Sequence, residues 1–143
     1  MLMPDVNVLL DAFREDLPAH TRVRPWLTDR LTGFEQIGVS ELVLSSVIRI
    51  STRVGVWDVP ATPGEAIAFC AIVRSAPAAT LVAPGPRHWS IFAGLVESMR
   101  LRGNDVPDAY FAALALENGA TLVTRDRGFA RFAGLRLLDP LAG

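Results

Sequence analysis

The chain has 143 residues, a formal net charge of −1 and one cysteine, which suits one domain with its own core and excludes an intrachain disulfide framework. All 14 basic residues are arginine, so P-loop, Schiff-base and lysine-assisted phosphotransfer chemistry cannot be built from it. With so little net charge, any contact with a nucleic acid has to be local.

In chain order, Leu2 to Pro4 reads as a short buried strand, and Val6 to Phe13 as a helix that turns Val8, Leu9, Ala12 and Phe13 inward. Asp5 falls at their junction. His20 to Leu31 has helical spacing and stops at Gly33; Ile37 to Val39 is a second strand, and Ser40 opens a helix to about Arg53 with Glu41 in its first turn. Leu42, Val43, Val47 and Ile50 on that helix suit either a core or a dimer face. Gly55 to Gly64, rich in proline and glycine, reads as a connection. Glu65 to Arg74 follows as a small helix in which Cys70 is core and inert.

Thr80 to Val82 is a third strand. Trp89, Phe92, Leu95, Val96 and Met99 then mark the inner face of an amphipathic helix. The next helix starts within Asn104 to Pro107, has an alanine-rich inner face and ends at Gly119 in a left-handed turn. Thr121 to Thr124 is a fourth strand, Asp126 to Phe132 a turn or short helix, and Leu135 to Leu138 a fifth strand. Alternating strands and helices predict an α/β fold with a central parallel sheet of about five strands, in one domain spanning 1–143. No apolar run approaches the ~18 residues of a membrane span and the start lacks a basic signal, so a soluble, cytoplasmic chain is expected.

In an open parallel sheet, ligands bind beyond the carboxyl ends of the strands. Asp5 and Asp126 should emerge there, and Asp108, in the first turn of a helix, can face the same crevice. Three carboxylates without histidine or cysteine suit a hard divalent cation, which offsets their repulsion and activates a water for phosphodiester hydrolysis. Each acid also has a plainer reading: Asp5 as a helix cap, Asp108 as a dipole charge, Asp126 as a turn residue. Asp105 is expected to cap its helix, the alternative being to hold water near a metal. Asp11, Asp16, Asp29, Asp58 and Asp139 are assigned to exposed positions, and His20 and His88 to the surface. Arg125, Arg127 and Arg131 surround Asp126, with Phe129 and Phe132 between them, and Arg49 and Arg53 are four apart. These arginines could grip phosphates while the phenylalanines stack unpaired bases, or the phenylalanines could be core and the arginines a solvated face.

The strings Pro4-Asp5-Val6-Asn7-Val8-Leu9-Leu10, Val106-Pro107-Asp108-Ala109-Tyr110-Phe111-Ala112-Ala113-Leu114-Ala115 and Gly119-Ala120-Thr121-Leu122-Val123-Thr124-Arg125-Asp126-Arg127-Gly128-Phe129 resemble, in order, three motifs of PIN-domain ribonucleases of the VapC toxin type. The resemblance spans nearly the whole chain. It implies a Mg²⁺-dependent endoribonuclease, with Mn²⁺ able to substitute, that cleaves tRNA or ribosomal RNA and inhibits translation. The metal would sit on Asp5 and Asp108, with Asp126 contributing directly or through water and Thr124 orienting ligands. The family's further glutamate would fall near Ser45 or Ser46; Glu41 is the candidate for its role, and Gly128 stands where a polar or acidic residue is common. The resemblance also implies a homodimer and a cognate VapB-type antitoxin. Two other classes compete. A non-catalytic binding module of the same fold is one; an aspartate-based phosphotransferase or phosphatase is the other, disfavoured by the missing lysine and by Asn7 where a second aspartate would stand.

Overall fold

The structure is a computed structural model and describes residues 1–142. Five parallel strands, β1 (Leu2–Pro4), β2 (Ile37–Val39), β3 (Ala79–Leu81), β4 (Thr121–Val123) and β5 (Arg136–Leu138), form one sheet in the order β3-β2-β1-β4-β5. Helices α1 (Val6–Phe13), α2 (His20–Leu31), α3 (Glu41–Ser51), α4 (Pro63–Arg74), α5 (His88–Met99) and α6 (Asp105–Glu117) connect them, and a short 3₁₀ helix, Arg127–Arg131, joins β4 to β5. The strand order reverses between β1 and β4. With right-handed crossovers this puts α5 and α6 on the opposite face from α1 to α4, and the helices pack in those groups, α1 on α2 and α3, α3 on α4, and α5 on α6.

The three middle strands supply the centre of the core: Met3, Ile37, Val39, Leu122 and Val123 are buried, with Val8, Leu9, Val23, Val47 and Leu114 closing over them from the helices. All three residues of β1 pair with β4, but β1 meets β2 only at Leu2 and Ile37. Pro4 points its nitrogen toward β2 and has no N–H to give, so that ladder ends early. Beyond Pro4 the chain stays with β4, Asp5 donating its amide to Val123 O at 2.9 Å.

Several expectations change in detail. Helix α4 begins at Pro63, because Thr62 and Glu65 form a reciprocal capping box and Pro63 takes the first turn, where its missing N–H costs nothing. Strand β3 runs one residue earlier than expected, α3 ends at Ser51, and Ser40 stands at the cap position of α3 without a capping hydrogen bond from its side chain. Gly119 ends α6 with φ +59°, as its position implied. On α5 the inner face is shifted: Trp89 is 70% exposed, whereas His88, expected at the surface, is 2% exposed and bonds through Nε2 to Tyr110 O. His20 is half-buried, its Nδ1 on Asp11 O at 2.8 Å. Cys70 is buried, and that burial pushes its thiol up. Among the described residues no helix is long and apolar enough to cross a membrane.

Candidate active site

The strand order reverses between β1 and β4, and open α/β sheets place their ligand sites at the carboxyl ends of strands at such a reversal. Asp5 and Thr124, the first residues beyond those strands, meet there. Asp5 sits in extended conformation at the N-cap of α1, and its carboxylate is divided between two tasks. Oδ1 accepts from Val6 N at 2.7 Å and caps the helix; Oδ2 accepts from Thr124 Oγ1 at 2.8 Å and from Asn7 Nδ2 at 3.1 Å. Capping and site chemistry are therefore not alternatives here, because a carboxylate has enough lone pairs for both.

Thr124 Oγ1 also accepts from Asn7 Nδ2 and Asp126 N, each at 3.0 Å, and Asn7 Oδ1 accepts from Arg125 N at 3.2 Å. Asn7 and Thr124 thus stitch the start of α1 to the loop after β4. Asp126 caps the 3₁₀ helix, with Oδ1 accepting from Gly128 N at 2.8 Å. Asp108 reaches the same edge from the first turn of α6.

Burial holds the Asp5 carboxyl above its ordinary range, and the like charges of Asp108 and Asp126 push the same way, against the hydrogen bonds from Thr124 and Val6. Asp108 and Asp126 therefore lie near enough for their charges to act on Asp5. Among the described residues no three His, Cys, Asp or Glu side chains converge tightly enough to cage a metal by themselves. Mg²⁺ does not need such a cage: one or two carboxylates suffice, with waters and substrate oxygens filling the other positions. The all-oxygen donor set and the excess negative charge at Asp5 fit that ion.

The remaining candidates divide. Glu41 is exposed at the start of α3, and its Oε2 takes Arg74 Nε at 3.0 Å, toward α4. Arg49 lines the groove between α3 and α4 together with Glu41 and Arg74. Arg127 is exposed beside Asp126, in a cleft it shares with Thr124 and Arg125. Arg125 is committed elsewhere, its Nε 2.7 Å from Asp11 Oδ2. Asp11, expected to be exposed, is 1% exposed. It lies three residues after Val8 and one before Ala12, on the inward stripe of α1, and that spacing was the available signal. Phe129 and Phe132 are buried and pack on each other, so they are core and not a platform for bases. Arg131 donates Nη2 to Asp108 Oδ2 at 3.2 Å and to Asp105 Oδ1 at 3.4 Å; Asp105 makes no side-chain capping bond to α6.

Comparison with known proteins identifies the family. The sequence pattern of the PIN domain family matches residues 2–135. The chain is 43% identical to VapC ribonuclease Mb2897 of Mycobacterium bovis over 143 residues, which is all of this chain and 97% of the relative. It is 37% identical to Ribonuclease VapC25 of Mycobacterium tuberculosis over 98% of this chain and 99% of the relative. Among solved structures, VapBC2 from Rickettsia felis, bound to a promoter DNA fragment, has the same fold with a TM-score of 0.67 at 17% identity, covering 96% of each chain. VapC20 of Mycobacterium tuberculosis, described as a Sarcin-Ricin loop cleaving toxin, does so with a TM-score of 0.63 at 16% identity, covering 95% of this chain and 99% of that one. The chain belongs to the PIN domain family and, within it, to the VapC ribonucleases.

Proposed function

We propose that this protein is a Mg²⁺-dependent endoribonuclease acting as the toxin of a toxin-antitoxin pair, that it cleaves structured RNA such as tRNA or ribosomal RNA, and that a VapB-type antitoxin restrains it. The observation that carries the reading is the Asp5 carboxylate, fixed by Thr124 and Asn7 at the sheet reversal with the charges of Asp108 and Asp126 bearing on it. The ribonuclease names of its relatives support the activity, and the toxin-antitoxin complexes among its structural neighbours support the restraint.

Asp5 and Asp108 would hold the cation, with Asp126 acting through water. Such an ion, when bound, neutralises charge on the phosphodiester and makes a water more acidic. The chain's own contribution is orientation. Thr124 and Asn7 keep Asp5 in one rotamer, and the Asp126 amide, tied to Thr124 Oγ1, keeps the second loop in register with the first. Arg127, exposed beside Asp126, would take a phosphate in its planar fork. Arg125 holds the loop through Asp11.

The test is cleavage of purified tRNA and ribosomal RNA with Mg²⁺ or Mn²⁺, comparing the wild-type chain with Asp5→Ala and Asp108→Ala. Cleavage by wild type and loss in both variants is expected. Persistence in both variants defeats the site, and a wild-type protein inert on every RNA points to a binding module of the same fold.

A further inference from the structure

The acidic edge carries a counter-cation from its own chain. Arg131, the last residue of the 3₁₀ helix, bridges Asp108 and Asp105 through Nη2, donates Nη1 to Gly128 O at 2.6 Å, and lays its guanidinium over the Phe132 ring, 4.7 Å from the centroid. Phe132 is 1% exposed and therefore a fixed support. Gly128 leaves the guanidinium room in this position, since a Cβ there would stand 2.9 Å from Arg131 Nη1 and 3.0 Å from Asp126 Oδ1. Ring and carbonyl hold the arginine at this edge. Its contacts with the carboxylates, by contrast, are ion pairs between partly exposed groups, the class most easily exchanged.

We propose that Arg131 is a resident counterion that occupies Asp108 when no divalent cation is bound, yields that carboxylate to the cation, and is thereby freed to bind a phosphate. The proposal rests on the metal-dependent reading above. Guanidinium and cation cannot both neutralise the same carboxylate oxygen closely, because their charges repel. Binding of the cation and binding of phosphate by Arg131 are then linked, each favouring the other.

The experiment uses Mn²⁺ alone in calorimetric titrations of the wild-type chain and Arg131→Gln, and Mg²⁺ and inorganic phosphate in NMR titrations of the Arg131 Nε–Hε resonance of the wild-type chain. Removing a competing partly exposed ion pair should tighten Mn²⁺ binding by about two- to fivefold in the variant. The wild-type resonance should move with Mg²⁺, and should respond to phosphate only once Mg²⁺ is present. Equal or weaker Mn²⁺ binding by a folded Arg131→Gln, a resonance that stays still at saturating Mg²⁺, or the same phosphate response with and without Mg²⁺ overturns the exchange and leaves the nuclease reading standing. Should Arg131→Gln not fold, the wild-type resonance decides. No Mn²⁺ binding by the wild-type chain overturns both.

Discussion

Thr124 donates its hydroxyl to Asp5 at 2.8 Å and so joins two residues 119 positions apart in the sequence. The same oxygen accepts from Asn7 and from the Asp126 amide, which makes one atom the junction of both loops of the site. Thr124→Val keeps the shape and removes the junction. Leaving a partly buried carboxylate and an amide short of a partner should cost about 1–2 kcal/mol, seen as a lower urea midpoint, with weaker Mn²⁺ binding. Unchanged stability together with unchanged Mn²⁺ affinity would show the hydroxyl to be idle.

The raised Asp5 carboxyl makes stability depend on pH in a definite direction. A folded-state value above the unfolded one means that the native state holds its proton more tightly. The group therefore contributes stability below its ordinary value of 3.8 and loses that contribution as pH rises through the folded value. Asp5→Asn removes the ionised form. The amide cannot accept every hydrogen bond that the carboxylate accepts, so the burial effect is read from the pH dependence: in EDTA, the melting temperature of the variant relative to wild type should rise between acid and neutral pH. A difference that stays constant or falls as pH rises contradicts the burial argument.

The Asp11–Arg125 pair should respond asymmetrically. The Asp11 side chain is 2% exposed and that of Arg125 37%, so Arg125→Met strands a buried carboxylate, whereas Asp11→Asn strands an arginine that can turn to water. Discounted for the exposure of Arg125, the first should cost about 2–3 kcal/mol and the second about 1. Chemical denaturation of the two variants measures the difference, and equal costs would mean that water reaches Asp11.

Glu41 spends its carboxylate on an exposed pair with Arg74. Glu41→Gln should change stability by less than about 1 kcal/mol and leave RNA cleavage near the wild-type rate. A loss of cleavage as deep as that of Asp5→Ala would place Glu41 in the site.

The parts of the fold that follow from local pattern were readable. Apolar runs bounded by turn residues marked every strand to within a residue or two; Asp5 and Asp126 were singled out because they follow such runs, and Asp108 because it stands where a helix begins. What the sequence concealed depends on distant partners. Asp11 is tolerated on an inward stripe only because Arg125 arrives from the loop after β4. His88 takes an inward position because the Tyr110 carbonyl receives it, and Trp89 next to it turns outward. Thr124 could be named from its motif, but its three hydrogen bonds could not. Nor does a run of arginines and phenylalanines disclose which arginine lies on Asp108 and which ring supports it.

Each strand of the sheet is three residues long, and this brevity has an evolutionary consequence. Met3, wholly buried, and Asp5, half-buried at the crevice, are separated by one proline, so no length of strand lies between packing and chemistry to absorb a displacement. A substitution that shifts Met3 moves Asp5 with it. Drift in the core of this protein is therefore constrained by the demands of the site, and diversification is left to the outer helical surfaces and loops.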